Sequence, residues 1–298
     1  MSHPSSPAVR HAVIPVAGFG TRVLPATKAI PKEMLPVVDR PLIQYVVDEA
    51  VEAGIEHLVF VTGRGKGAIE DYFDHAPELE QALDAKGKDA IKADTMRSVL
   101  PQGGCSFTRQ QEAKGLGHAV WCARDIVGDQ PFAVLLPDVI VRAERSCLAQ
   151  LMDHYEAGRN LLSVEEVPRE EVSKYGVIAP KEPKGEARGA VVEMSGMVEK
   201  PSANQAPSNL AVHGRYVLQP EIWPILGSTG RGAGGEVQLT DAMAELMGSQ
   251  PFYGVRFEGE SHDCGSKAGF VLANLAFAMD RDDVGPAVRA EVARVLGA

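Results

Sequence analysis

Along the first half of the chain, short apolar runs alternate with stripes at helical spacing. "HAVIPV" (11–16) reads as a buried strand, with Pro15 near its end because proline cannot donate to a sheet ladder. From about Pro41 to Ala53, the residues Leu42, Ile43, Val46, Val47, Ala50 and Val51 form one helical face, and Gly54 is the expected stop. "HLVFVT" follows as a strand and "GAIEDYFD" opens another helix. Residues 78–97, charged and weakly patterned, predict exposed helix; "GHAVWCARDIV" predicts a helix and "PFAVLLPD" a strand. This alternation predicts a parallel sheet with right-handed crossovers.

The second half is more mixed. "NLLSVEEV", "YGVIAP", "GAVVEM" and "NLAVHGRYVL" read as strands with little helix between them, which predicts some antiparallel pairing. "EVQLTDAMAELM", "GSKAGFVLANLAFAM" and "GPAVRAEVARVLGA" return to helical periodicity. The expected fold class is α/β: a Rossmann-like, mostly parallel mixed sheet flanked by helices, with a small additional β layer in the second half. A lead-in over 1–10, a single α/β domain over 11–280 and a C-terminal helix within 281–298 complete the expected organisation.

At 298 residues the chain can bury a large core, as one large α/β domain or two smaller ones. The net charge of −10 argues against nucleic acid as a partner, since such binding depends on lysine and arginine displacing counterions from phosphates. It leaves room for a small phosphorylated ligand, which needs only a local basic pocket. No apolar run is long enough to span a bilayer, and "MSHPSSPAVRH" lacks a signal-peptide core, so a cytoplasmic protein without a membrane partner is expected. Cys105, Cys122, Cys147 and Cys264 form no C-x-x-C pair, which predicts buried free thiols rather than a zinc site or disulfides.

Candidate chemistry concentrates in "AGFGTRVLPATKAIPKEMLP" (17–36). "GFGTRV" begins like a dinucleotide fingerprint, but Val23 stands where the third glycine belongs. "GRGKGA" (63–68) has a Gly-Lys pair followed by Gly67 instead of Ser or Thr, so the phosphate-loop motif also fails. What remains is a strand, a tight Gly18-x-Gly20 turn, and then Thr21 and Arg22. Such a turn lets backbone N–H groups approach a ligand. Arg22 adds a planar fork suited to phosphate oxygens, Lys32 adds a second charge, and Pro25, Pro31 and Pro36 stiffen the carrier. Gly-x-Gly alone suits any structural turn; the whole stretch suits phosphate binding.

Together "AGFGTR", "PATKAIPKEMLP", "KGLGHAV", "LPDV", "VEKP", "GEVQLTDA" and "SHDCG" resemble the bacterial UTP–glucose-1-phosphate uridylyltransferases, or UDP-glucose pyrophosphorylases. The resemblance runs in order from about 11 to 275. It implies a nucleotidyltransferase type A-like fold with a nucleotide-binding part near 11–140 and a sugar-binding part near 160–265. The implied reaction joins UTP and glucose 1-phosphate to give UDP-glucose and pyrophosphate. It also implies Mg²⁺ as cofactor and a homodimer or homotetramer.

Residue by residue, the resemblance implies that Asp138 and Asp263 hold the metal, while Arg22 and Lys32 neutralise the triphosphate and the departing pyrophosphate. On residue type alone, each aspartate reads equally well as a helix cap. Gln110 matches the glutamine that reads uracil, with Ala17, Gly18, Gly20, Thr21 and Gly115 completing the nucleotide site. His118 is expected to cap the following helix and to take no catalytic part. Gly176, Glu199 and Lys200 match sugar and sugar-phosphate contacts. Adjacent strand residues point to opposite faces, so Glu199 and Lys200 can meet one ligand only if the backbone there is irregular. Glu236 and Asp241 are expected to support the site, beside a glycine loop that either closes over the sugar or merely connects. A thymidylyltransferase using dTTP and a non-catalytic paralogue binding UDP-glucose remain alternatives, because the former shares the fold, metal site and basic loop. A nicotinamide oxidoreductase is disfavoured by the missing third glycine.

Overall fold

The computed structural model describes residues 9–182, 187–230, 232 and 235–297. Thirteen strands occur among them: β1 (His11–Pro15), β2 (Pro36–Val37), β3 (Arg40–Pro41), β4 (His57–Thr62), β5 (Cys105–Arg109), β6 (Phe132–Leu135), β7 (Val139–Arg142), β8 (Asn160–Glu166), β9 (Gly176–Pro180), β10 (Val191–Glu199), β11 (Leu210–Leu218), β12 (Phe252–Arg256) and β13 (Glu260–Asp263).

Nine strands build one sheet in the order β5-β4-β1-β6-β11-β8-β12-β10-β9, and β9 also pairs with β11. β5, β4, β1 and β6 run parallel, as do β8 and β12. β11 is antiparallel to β6, β8 and β9, and β10 is antiparallel to β9 and β12. The sheet is therefore mixed, with its parallel part mainly in the first half. Outside it lie two two-stranded ribbons, β13 with β7 and β2 with β3.

The continuous apolar runs form strands because both faces of the sheet are covered. Ala12, Ile14, Leu58, Phe60, Ala133 and Leu135 enter one core with Leu42, Ile43, Val46, Val47 and Ala50 of the helix Leu42–Glu52. The intervening Val13, Val59, Val61, Phe132 and Val134 enter a second core with Ala119, Val120, Trp223 and Met243. Burying each such large side chain contributes roughly 1.5–3 kcal/mol, so the two-residue period holds the register firmly.

Several elements differ in detail from the sequence expectation. The helix expected over "GHAVWCARDIV" is two short helices, Leu116–Trp121 and Arg124–Val127. The strand expected through "PFAVLLPD" ends at Leu135, and Asp138 lies beyond it in the turn to β7. β2, β3, β5, β7, β12 and β13 are not apparent from periodicity. β5 is a partly exposed edge strand, and β12 carries Gly254 at its centre. Of the expected lead-in, Val9 is buried and Arg10 pairs with Glu56; residues 1–8 lie outside the described residues. The last helix is Gly285–Leu296. Among the described residues all four cysteines are free, with Cys147 and Cys264 buried.

Candidate active site

The site gathers at the carboxyl ends of the parallel strands, where open α/β sheets present their loops to ligands. After β1 the chain turns sharply at Gly20. This residue has φ +66°, and a Cβ there would stand 3.1 Å from Lys32 Cβ and 3.2 Å from Thr27 Cβ, so only glycine fits without strain. Thr27 Oγ1 donates to Gly20 O at 2.8 Å and ties the turn to the proline-rich segment carrying Lys32. A buried pair anchors that segment from below: Lys66 Nζ donates to Glu33 Oε2 at 2.8 Å. The lysine of the failed phosphate-loop motif is thus structural.

Two adjoining cavities open here. One, of about 350 Å³, is lined by Ala17, Gly18, Thr21, Lys32, Gln110 and Gly115, among others. The second, of about 250 Å³, is lined by Arg22, Gly176, Glu199, Lys200, Thr240 and Asp263, among others. Asp138 and Glu236 line both. A larger cavity of about 480 Å³ lies elsewhere, near Arg145 and His154, and gathers none of these groups.

Asp138 is the electrostatic centre. Lys32 Nζ donates to its Oδ2 at 2.6 Å and Arg22 Nη2 at 3.2 Å, while Arg22 Nη1 lies 3.5 Å from Asp263 Oδ2. Burial alone would raise the Asp138 carboxyl, but Lys32, by charge and hydrogen bond, and Arg22 hold it below the usual carboxylate range. Burial would lower the Lys32 ammonium, but Asp138 and Glu33 raise it above its ordinary value. Asp263 is different: burial pushes it up, the Asp138 charge adds to that rise, and Arg22 only partly opposes it.

Asp138 and Asp263 are brought together over Gly265. A Cβ on Gly265 would sit 2.7 Å from Asp138 Oδ2 and 2.9 Å from Asp263 Oδ1, and it would collide with Arg22 Nη2. Two carboxylates facing one point form a hard oxygen donor set. Among the described residues no third His, Cys, Asp or Glu joins them. That composition fits Mg²⁺, which retains water and substrate phosphate oxygens as its other ligands.

At the second cavity, Glu199 ends β10 opposite Gly176 of β9. Lys200 follows with φ +46°, the irregular backbone that lets neighbouring side chains share one cavity. Thr240 Oγ1 donates to Glu199 Oε2 at 2.7 Å, and Lys200 Nζ lies 3.3 Å from Glu199 Oε1.

On the opposite side, Gln110 follows β5 directly and is buried. Its Nε2 donates to Gly115 O at 2.9 Å and meets His118 Nδ1 at 3.1 Å. His118 therefore does not cap its helix, which has no side-chain cap.

The structure thus brings together Ala17, Gly18, Thr21, Arg22, Lys32, Gln110, Gly115, Asp138, Gly176, Glu199, Lys200 and Asp263, with Gly20 shaping the turn. Glu236 joins them. Asp241 lines neither cavity, although the Glu199 charge, after burial, helps to raise its carboxyl. Arg231, Ala233 and Gly234 of the glycine loop lie outside the described residues. Sequence reasoning missed Thr240, whose only signal is its place in the first turn of the helix Leu239–Leu246. It also missed Arg215, whose buried guanidinium donates to Leu136 O at 3.1 Å and Val139 O at 2.8 Å, on either side of Asp138.

A mixed sheet with a basic glycine turn and paired carboxylates at its strand ends defines a nucleotide-handling α/β protein. The chain belongs to the nucleotidyl transferase family, whose model matches residues 11–279. It is 52% identical over 272 residues to the UTP–glucose-1-phosphate uridylyltransferase of Bacillus subtilis, covering 91% of each chain. It is also similar to the structure of a UTP-bound UDP-glucose pyrophosphorylase from Acinetobacter baumannii. That match has 42% identity and a TM-score of 0.89, covering 96% of this chain and 99% of that one. A UDP-glucose pyrophosphorylase complexed with UDP-glucose matches at 42% identity and TM-score 0.80, over 92% of this chain and 100% of the other.

Proposed function

We propose that this chain transfers the uridylyl group of UTP to glucose 1-phosphate, forming UDP-glucose and pyrophosphate. The observation that carries the reading is the position of Asp138, shared by the two cavities, with Lys32 and Arg22 on one of its oxygens. The named relatives support the choice of substrates.

In the reaction a phosphate oxygen of glucose 1-phosphate attacks the α-phosphorus of UTP in line. A new P–O bond forms and the bond from the α-phosphorus to the bridging oxygen breaks. Pyrophosphate leaves with that electron pair. The main obstacle is repulsion between two anions, so the protein's task is positioning and positive charge rather than supplying a nucleophile. Gln110, with Ala17, Gly18 and Gly115 beside it, would hold the base, while Gly20 and Thr21 shape the turn around the phosphates. Lys32 and Arg22 would move from Asp138 toward the phosphate oxygens. Glu199 would accept from sugar hydroxyls, Gly176 would admit the sugar closely, and Lys200 would neutralise the sugar phosphate.

Asp138 and Asp263 would hold Mg²⁺, which when bound supplies Lewis-acid charge at the phosphates. Glu236, on both cavities, would close the seam between the substrates. A homodimer or homotetramer is supported by the exposed Val271 and Leu272 on one C-terminal helix and Val295 and Leu296 on the next. Sedimentation of the purified chain as a monomer would exclude it. Among the described residues no helix is long and apolar enough to cross a membrane, and we place the activity in the cytoplasm.

The test is pyrophosphate release from glucose 1-phosphate and Mg²⁺ with UTP, dTTP, ATP, GTP and CTP in parallel. UTP preference is expected. A dTTP preference would reassign the base pocket. No release with any nucleotide, from folded protein that binds UDP-glucose, would indicate a non-catalytic paralogue.

A further inference from the structure

We propose that His118 is a positioning residue for base selection: its Nδ1, with the Gly115 carbonyl, locks the Gln110 carboxamide so that only an acceptor faces the base. The inference rests on the reading of Gln110 as the residue that meets the pyrimidine. A carbonyl oxygen can only accept, so the 2.9 Å contact to Gly115 O fixes which end of the amide points there. The same Nε2 meets His118 Nδ1 at 3.1 Å. Both amide hydrogens are then engaged, and among the described residues Gln110 Oε1 has no hydrogen-bond partner. The side chain lines the cavity beside Ala17 and Gly18.

For Nδ1 to accept, His118 must be neutral, with its proton on Nε2. Its surroundings favour that state. Burial holds its pKa below the ordinary histidine value, the Lys114 charge adds to this, and Glu112 opposes it. The ring is also fixed in orientation. It stacks on Trp121 with centroids 5.9 Å apart, and the Arg124 guanidinium lies 3.6 Å above the Trp121 ring on which it rests. The Cys122 thiol, 4.0 Å from the same Nδ1, is a second weak donor toward it.

The consequence is selective. Uracil carries a proton on N3, which the bare Oε1 accepts. Cytosine carries a lone pair on N3, which Oε1 repels. To serve cytosine the amide would have to turn over, giving up both hydrogen bonds and setting Oε1 against the Gly115 carbonyl and the Nδ1 lone pair. Thymine presents the same N3–H as uracil, so this lock separates UTP from CTP and not from dTTP.

The test compares kcat/KM for UTP and CTP in the full chain and in His118→Leu and His118→Asn. The Asn Oδ1 can stand near the place of Nδ1 and restore the acceptor. The Leu variant is expected to lower the UTP:CTP ratio about tenfold or more, because one of two locking bonds is lost, while Asn stays within about threefold of the parent. In parallel, ¹⁵N NMR of the parent's imidazoles should show His118 with an unprotonated Nδ1, a readout that survives if the Leu variant fails to fold. A ratio that Leu leaves unchanged, an Asn variant as impaired as Leu, or a proton on Nδ1 would each overturn the lock. A parent chain with no preference for UTP over CTP would instead overturn the reading of Gln110 beneath it.

Discussion

Arg215 and Glu49 form an ion pair sealed inside the core, with Arg215 Nη2 2.7 Å from Glu49 Oε2 and Nε 2.9 Å from Oε1. The pair joins β11 to the helix Leu42–Glu52, and Arg215 also holds the carbonyls on either side of Asp138. Removing one partner leaves a buried charge alone. Glu49→Ala or Arg215→Met is therefore expected to cost about 3–5 kcal/mol. The double variant Glu49→Leu with Arg215→Met should cost less than either single change. Urea unfolding measures this; single variants that lose under about 1 kcal/mol would show that the pair is not a structural anchor.

Asp138→Asn keeps the side chain's size and removes its charge. Turnover is expected to fall by about a hundredfold or more, because the proposed Mg²⁺ site and the lysine–arginine cluster both lose their anchor. Direct Mn²⁺ titration, followed by electron paramagnetic resonance, should show weakened binding in the same variant. Near-parent rates at saturating Mg²⁺ would remove Asp138 from the mechanism.

Lys200→Ala should raise KM for glucose 1-phosphate about tenfold while leaving KM for UTP within about twofold, since this lysine lines only the smaller cavity, the one proposed for the sugar. Equal effects on both substrates would argue that Lys200 supports the fold rather than the sugar phosphate. Glu199→Gln retains an acceptor for Thr240 but removes charge from the same cavity, and a similar bias toward the sugar substrate is expected.

His213 gives a pH dependence of stability. Burial, followed by the charge of Arg215, lowers its pKa to about 4. Glu165 Oε2 lies 3.6 Å from Nδ1, but it already accepts the Ser261 hydroxyl at 2.5 Å, and Ser261 Oγ meets Nδ1 at 3.1 Å. The hydroxyl proton is committed to Glu165, so Nδ1 donates to Ser261, and among the described residues the buried Nε2 has no partner for a second proton, which keeps the ring neutral. The unfolded chain takes up this proton near pH 6.5, and the folded one only near pH 4. Stability is therefore full above about pH 6.5 and falls as pH drops toward 4, by up to on the order of 3 kcal/mol. His213→Phe should flatten this part of the stability profile from chemical denaturation at pH 4.5 to 8. A parent and variant with parallel profiles would contradict a neutral, buried His213.

Much of the fold can be read from local pattern. The continuous apolar runs of β1, β4 and β6 mark strands covered on both faces, and the stripe from Leu42 to Ala50 marks the helix that covers one face, whereas Val51, expected on the same stripe, is turned to solvent. The breaks in the nucleotide motifs at Val23 and Gly67 also stand as read, since Lys66 is spent on Glu33. The irregular backbone demanded by Glu199 and Lys200 follows from strand alternation alone and is met by φ +46° at Lys200. These features are short-range, and short-range sterics and burial decide them.

The remaining features depend on distance in space. Asp138 and Asp263 are far apart in the chain, and nothing in their spacing says that they face one point over Gly265. That meeting follows from the pairing of β13 with β7, which sets Asp263 opposite Val139. Arg215 reads as one more polar residue on a strand until the order β6-β11-β8 puts its guanidinium under the loop of Asp138. The partnership of Gln110 with His118 requires the turn at Gly115 to bring a strand end against the first turn of a helix. Sequence by itself determined the strands and helices with strong local pattern and which residue types could do phosphate chemistry. Only the tertiary structure decided which charges meet, because strand order and register fix side-chain convergence while sequence spacing does not.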